Sequence, residues 1–134
     1  MKMKIPIALA IVSVIALSAA AYAVSQPDLT VADIAFTQNK RCGNSSYVNV
    51  TVRMFVRNIG NATAYNFGDQ LNITGSITTY FVSSLGPGLT TSHARTVAKQ
   101  CGVSFWTTTK ADINNTVSES NEANNFRSET YTPV

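Results

Sequence analysis

The sequence predicts an all-β domain, a seven-stranded β-sandwich of the immunoglobulin-like type. Three observations predict it. After residue 23, apolar residues recur at every second position in several short segments, which is the period of a half-buried strand. Turn residues separate these segments at short intervals, and no stretch of ten or more residues carries the apolar stripe of an amphipathic helix. The chain has 134 residues, which is enough for one such domain.

Residues 1–23 differ in kind from the rest. Lys2 and Lys4 precede the uncharged run IPIALAIVSVIALSAA, and the sequence AYA then offers small residues at a cleavage site. This three-part pattern is typical of a secretory signal peptide. The alternative is a retained membrane anchor, because residues 5–24 are long enough to span a bilayer. Both alternatives place the domain, residues 24–134, outside the cell or on its surface.

The first two predicted strands have the clearest patterns. Residues 28–36 alternate with a slip of phase near Asp33, which predicts a β-bulge. Residues 46–58 alternate cleanly. The face predicted to be buried carries Val48, Val50, Val52, Met54 and Val56, and the other face carries Tyr47, Asn49, Thr51, Arg53, Phe55 and Arg57.

The other five predicted strands are rich in threonine and aromatic residues. They cover residues 62–67, 72–82, 90–98, 103–111 and 125–132, with turn signals at 58–61 and 85–88. The single histidine, His93, falls on the fifth strand and is predicted to face solvent.

The charge of the exported part argues against nucleic-acid binding. Cleavage removes Lys2 and Lys4, which leaves eight basic and seven acidic side chains. The basic residues are scattered, whereas a phosphate-binding surface needs them clustered. We therefore expect no nucleic-acid partner, and a membrane partner only if residues 5–24 are retained as an anchor.

The chain has two cysteines, Cys42 and Cys101, both in the exported part. An even number of cysteines in an oxidising compartment favours a disulfide. Neither belongs to a C-x-x-C pair, so the sequence does not predict the four ligands that a zinc site needs. A bridge would close a loop of about 60 residues and contribute about 4 kcal/mol of stability.

The segment 111–126, ADINNTVSESNEANNF, concentrates carboxylates and amides and allows three interpretations. An EF-hand loop starting at Asp112 fails, because Val117 and Ala123 stand where glycine and glutamate are needed. A looser calcium site could still use Asp112, Glu119 and Glu122. The third interpretation is a polar turn, in which Asp112 fixes the backbone, Val117 enters the core and the two glutamates stay solvated.

Catalysis is not predicted. Glu119 and Glu122 lie three residues apart in a polar stretch, without the apolar pocket that would separate the pKa values of a glycosidase pair. The chain has no G-x-S-x-G motif, and His93 is too isolated to suggest a triad. We therefore expect no catalytic residue and no cofactor, with calcium left as the one candidate ion.

Surface features leave two further questions open. Five N-x-[ST] sequons occur, at Asn44, Asn49, Asn61, Asn72 and Asn114. They are either glycosylation sites or asparagines that simply lie in turns and on strand faces. Tyr47, Arg53 and Phe55 share the outward face of one strand and form one candidate contact surface. Trp106 is out of phase with its apolar neighbours, so it either faces outward as a second contact surface or is covered by a loop.

Four segments together resemble the CARDB family, the cell adhesion related domain found in bacteria and also in archaea. They are PDLTVADI (27–34), VNVTVRMFVRNIGNATAYNF (48–67), LGPGLTT (85–91) and ADINNTVSESNEANNF (111–126). The resemblance covers residues 27–132. It implies a seven-stranded immunoglobulin-like sandwich in an extracellular prokaryotic protein, usually non-catalytic and often repeated in tandem. The single copy and the cysteine pair depart from the general pattern.

The fold implied by this pattern also places the cysteines. In such a sandwich the connections between strands one and two and between strands five and six lie at the same end. Cys42 precedes the second strand and Cys101 the sixth, so a bridge between them is sterically reasonable. No tryptophan lies on the third strand, which is a difference from antibody domains.

Three functions fit these features. The first is a non-enzymatic extracellular or cell-surface domain with a structural or adhesive role, which contacts a protein partner or another copy of itself and carries glycans. The second is a subunit of an extracellular filament assembled through edge strands. The third is a small module that binds carbohydrate or calcium.

Overall fold

The computed structural model describes residues 23–134, which form seven β-strands and no helix. The strands are β1 (Leu29–Gln38), β2 (Tyr47–Asn58), β3 (Ala64–Ile73), β4 (Ser76–Leu85), β5 (Thr90–Gln100), β6 (Phe105–Lys110) and β7 (Phe126–Tyr131). The predicted signal peptide or anchor lies, apart from Ala23, outside the described residues. Within residues 23–134, no helix is long and apolar enough to cross a membrane.

The strands form two antiparallel sheets, in the orders β1-β2-β5 and β4-β3-β6-β7. The sheets face each other across one hydrophobic core, which is the arrangement of an immunoglobulin-like sandwich of three and four strands. The predicted fold class is therefore confirmed.

The strand β2 supplies the centre of the core. Its alternate residues Val48, Val50, Val52, Met54 and Val56 are at most 2% exposed, as the alternation in the sequence predicts. Burying each of these side chains contributes about 1.5–3 kcal/mol. The opposite sheet supplies the facing layer with Phe67, Leu71 and Ile73 from β3 and Phe105 from β6. The predicted bulge in β1 is also present, because the register with β2 shifts between Val31 and Asp33.

The boundary between β3 and β4 differs from the prediction. The sequence predicts one strand over 72–82, but β3 runs on to Ile73 and a two-residue turn, Thr74-Gly75, joins it to β4. Both turn residues have positive φ, 51° and 88°, which gives a type I′ turn that matches the twist of the two strands. The Asn72 side chain accepts the N–H of Gly75 at 2.9 Å and so fixes the turn.

Cys42 and Cys101 form a disulfide, with their Cα atoms 5.7 Å apart. Cys42 lies between β1 and β2, and Cys101 directly follows β5, so the bridge links the β1–β2 connection to the chain that leaves β5 at one pole of the sandwich. We call this end the disulfide pole. The end of the chain also packs there, since the Cys42 N–H donates to the carbonyl of Val134 and the Gly102 N–H to that of Pro133.

Candidate functional site

The opposite end of the sandwich, which we call the motif pole, collects residues 24–30, the β2–β3 loop and the segment 111–126. Near the start of the segment 111–126, Asp112 is fully buried and has a positive φ of 44°. The Asp112 carboxylate accepts the N–H groups of Thr116 at 3.0 Å and of Val117 at 2.8 Å. This side chain closes the turn after β6, and Val117 reaches the core at 7% exposure, as predicted.

Glu119 was predicted to stay solvated, and this prediction is wrong. Its side chain is 8% exposed, and its carboxylate accepts the main-chain N–H of Leu29 and the side-chain amide of Asn125. Burial raises the pKa of Glu119 to about 7, against the opposing effect of these two hydrogen bonds. The charges of Glu122 and Asp112 contribute to the same rise. Glu119 therefore fixes the start of β1.

The segments PDL and SNEANN bind each other through further polar contacts. The Asp28 carboxylate accepts the Ser120 hydroxyl at 2.9 Å and the Asn124 amide at 2.7 Å. The Ser120 N–H donates to the carbonyl of Pro27. Glu122 is exposed at the surface and accepts the N–H of Glu119 at 3.1 Å. The opening and closing parts of the domain are thus held together by side chains from both.

Asn58 and Gly60 complete the motif pole. Asn58 is fully buried and donates to the carbonyls of Ala62 and Leu85, while its side-chain oxygen accepts the N–H groups of Asp28 and Gly60. A Cβ on Gly60 would lie 2.5 Å from the carbonyl oxygen of Gln26. Glycine is therefore required where the β2–β3 loop meets the chain entering β1. The sequence predicts only a turn at 58–61, because a contact across 30 positions has no local signal.

The candidate cation-site residues are engaged by the protein itself. The carboxylates of Asp112, Glu119 and Glu122 each accept hydrogen bonds from main-chain N–H groups. In residues 23–134, no group of three or more His, Cys, Asp or Glu side chains is placed to hold a metal ion. Calcium takes six to eight oxygen ligands, and a calcium site at this pole stays a prediction. A cleft of about 320 Å³ lies beside these residues, lined by Val24, Gln26, Asp28, Ile59, Gly60, Asn61 and Ser120.

His93 was predicted to face solvent, and this prediction is also wrong. It lies opposite Met54 on the inward side of β5, and its side chain is 13% exposed. Its Nε2 lies 3.1 Å from the carboxylate of the fully buried Asp69 on β3. Its ring stacks on that of Tyr80 at 4.5 Å between centroids. Burial raises the pKa of Asp69, and the hydrogen bond and charge of His93 oppose that shift.

The outer surface of the four-stranded sheet carries large exposed apolar side chains. They are Ile77 (57% exposed) and Phe81 (71%) on β4, Trp106 (43%) on β6 and Phe126 (59%) on β7. We call this surface the aromatic face. Trp106 alternates with the buried Phe105 and Thr107 and therefore points outward, which decides between the two alternatives for this residue. Phe81 and Phe126 were not predicted as contact residues, although each lies at an outward position of its strand.

The other predicted contact residues lie on the opposite side of the sandwich. Tyr47 is 59% exposed, Arg53 is exposed and Phe55 is half-buried, all on the outward face of β2. Arg53 donates to the hydroxyl of Ser92 at 3.3 Å. The cation–π contact found among the described residues is a different one: the Lys99 ammonium lies 4.6 Å from the centre of the Phe105 ring. Because Trp106 lies on the other sheet, the structure does not bring it together with Tyr47, Arg53 and Phe55.

The five sequon asparagines have different surroundings. Asn44, Asn49 and Asn114 are exposed. Asn61 is also exposed, but its side-chain oxygen accepts the N–H of Gln26 at 2.9 Å. Asn72 is half-buried and holds the turn after β3. Glycosylation of these residues stays a prediction.

Comparison with known proteins places the chain in a family. Two solved structures of a CARDB domain from Pyrococcus furiosus are similar to it, each at 23% identity. The crystal structure, a complex with di-metal ions, has a TM-score of 0.66 and covers 82% of this chain and 96% of its own. The solution structure has a TM-score of 0.63 and covers 81% and 95%.

A third solved structure is a domain of a predicted cell-surface protein from Methanosarcina acetivorans. It is 23% identical, has a TM-score of 0.53 and covers 81% of this chain and 93% of its own. No functionally curated protein matches the chain. At these identities the likeness to solved structures shows the fold. The sequence profile of the CARDB family, however, matches residues 26–129, and the chain therefore belongs to the CARDB family.

Proposed function

We propose that this chain is a non-enzymatic cell-surface domain that contacts a protein partner through the aromatic face. The observation that carries the proposal is the exposure of Ile77, Phe81, Trp106 and Phe126 on one side of one sheet. Exposed apolar side chains grouped in this way are typical of protein interaction sites. The family and the cell-surface relative support the location.

The composition of the aromatic face favours a protein as the partner. The outward strand positions between the apolar residues carry Gln70, Asn72, Thr79, Thr108, Lys110, Ser128 and Thr130. Only Lys110 is charged among these described positions. Interface cores are poor in charged residues and rich in aromatic ones, which matches this surface. A glycan on Asn49 would leave the face free, because Asn49 lies on the outward side of the other sheet.

The proposal is tested by adhesion of beads coated with the exported chain to cells of the same species and by its sedimentation velocity. Phe81→Ser and Phe126→Ser should each reduce bead adhesion or self-association. Tyr47→Ser is the matched control, because Tyr47 is as exposed as Phe126, 59% each, on the other sheet. Equal losses in all three variants, or none in the first two, would contradict a role of the aromatic face. Sedimentation distinguishes a second copy of this chain from a different partner.

A further inference from the structure

The inward side of β5 carries three basic side chains, His93, Arg95 and Lys99, although it faces the space between the sheets. His93 has an acidic partner in Asp69. Arg95 and Lys99 have none: in the part of the chain that the structure describes, no carboxylate lies within 4.0 Å of either. Both are half-buried, so their charges are only partly compensated by water.

Lys99 reaches the turn between β3 and β4, and Arg95 reaches the first residues of β4. The Arg95 guanidinium donates to the carbonyl of Ser76 at 3.3 Å and to the hydroxyl of Thr78 at 3.1 Å. The Lys99 ammonium donates to the hydroxyl of Thr74 at 2.5 Å. Two positive charges from one strand therefore meet neutral oxygens within one short stretch of chain.

The surroundings of this pair supply no negative charge. The inward residues of β4 that face it are Ser76, Thr78 and Tyr80, and those of β2 are Val48, Val50 and Val52. Burial and the charge of Arg95 lower the pKa of Lys99, and its ammonium also lies over the ring of Phe105 at 4.6 Å. Inward-pointing charges also protect an edge strand such as β5 from pairing with other chains, and Arg95 and Lys99 can serve that purpose as well.

We propose that Arg95 and Lys99 form a binding site for an oxyanion, a carboxylate, sulfate or phosphate group, at the opening between β4 and β5. The guanidinium has further N–H groups beyond its two contacts, and it suits the planar or tetrahedral oxygens of such a group. The ammonium adds a point charge, and the Thr74 and Thr78 hydroxyls are placed to donate to further oxygens. This site is separate from the aromatic face, because it lies between the sheets and not on the outer surface.

Nuclear magnetic resonance of the exported chain tests the proposal, with inorganic phosphate added at constant ionic strength against sodium chloride. We expect saturable shifts of the amides of Thr74, Gly75 and Ser76. We also expect the titration of the Lys99 side chain to move to higher pH when phosphate is bound. Shifts that do not saturate, or that spread evenly over exposed basic residues, would overturn the site.

Substitutions give a second line of evidence. The double variant Arg95→Gln/Lys99→Gln should weaken phosphate binding at least about tenfold, because each removes a charge-assisted hydrogen bond. The control Arg53→Gln/Arg57→Gln removes the same net charge from the outward side of β2 and should bind as the wild type does. Equal weakening in both variants would overturn the proposal. If the first variant does not fold, the wild-type amide shifts decide alone.

Dextran sulfate and neutral dextran distinguish the sources of the anion. Displacement of phosphate by dextran sulfate and not by dextran would indicate acidic groups on a polysaccharide. Binding of phosphate that dextran sulfate does not displace would indicate a small free anion. Both outcomes support the site, whereas displacement by neutral dextran contradicts its electrostatic basis.

Discussion

The carboxylate of Glu119 accepts the main-chain N–H of Leu29, across 90 positions of sequence, where β1 begins. The two residues belong to the opening and closing segments of the CARDB pattern. Their contact explains in physical terms why these distant segments occur together: one supplies a buried donor and the other the acceptor that it needs.

Replacing Glu119 with alanine should therefore destabilise the domain. The Leu29 N–H, in a fully buried residue, would lose its partner, at a cost of about 1–3 kcal/mol. Urea denaturation measures the change. Glu122→Ala is the control, since Glu122 is exposed, and it should cost clearly less. Equal effects of the two variants would contradict the role assigned to Glu119.

The raised pKa of Glu119 predicts a dependence of stability on pH. Folding moves this pKa from 4.5 to about 7, so the folded state binds the proton more tightly than the unfolded state. The associated stability is present below pH 4.5 and is lost as the pH rises through about 7. Glu119→Gln should flatten this fall in the free energy of unfolding, and Glu122→Gln should retain it. Asp69, whose pKa is also raised, leaves a residual slope of the same sign in both variants.

Gly60→Ala should destabilise the motif pole. The new Cβ would lie 2.5 Å from the Gln26 carbonyl oxygen and 2.6 Å from the Asp28 nitrogen, and main chain cannot yield as a side chain does. We expect a loss of about 1–3 kcal/mol in thermal or urea unfolding. In Gly86→Ala, the control, the nearest atom is the flexible end of Leu89 at 3.3 Å. A Gly60 variant as stable as the control would show that the entering chain can move away.

His93→Ala should destabilise the interior through Asp69. The variant leaves a fully buried carboxylate without its partner from the opposite sheet, at a cost of about 2–3 kcal/mol. Tyr80→Phe keeps the stacked ring and removes only the hydrogen bond to the Ala94 carbonyl, so it should cost about 1 kcal/mol. If His93→Ala proves as mild as Tyr80→Phe, the contact with Asp69 contributes little.

Replacing both Cys42 and Cys101 with alanine should cost about 4 kcal/mol, because the bridge closes a loop with a sequence separation of 59. Removing both avoids a free thiol that would form mixed disulfides. Denaturation of the oxidised wild type and of the variant in the same buffer measures the loss. A loss below about 1 kcal/mol would contradict the entropic contribution of the bridge.

Features that depend on neighbouring residues could be predicted from the sequence. The alternation along β2, the bulge near Asp33 and the burial of Val117 follow from side-chain period and backbone phase. The position of each cysteine between strands, together with the strand connections of an immunoglobulin-like sandwich, placed the bridge at one pole.

Long-range contacts could not be predicted in this way. His93 alternates with polar and small residues on both sides, so period alone does not show which side of β5 is inward. Its partner Asp69 is 24 positions away and on the other sheet. Glu119 has the same difficulty, because its acceptor role depends on a donor in the first strand. The sequence does not indicate the turn at Thr74-Gly75, because threonine rarely adopts positive φ and usually indicates a strand.

The disulfide pole has a mechanical consequence. Gln26 and Asp28 enter the domain at the motif pole, whereas Pro133 and Val134 pack beside Cys42 and Gly102 at the other end. Tension applied at these two ends therefore acts along the length of the sandwich. The two cysteines are 59 residues apart in the sequence. Because the disulfide joins them covalently, tension cannot extend the chain between them. Under load this domain would extend by only the remainder of its chain and keep β2 to β5 within a closed covalent loop.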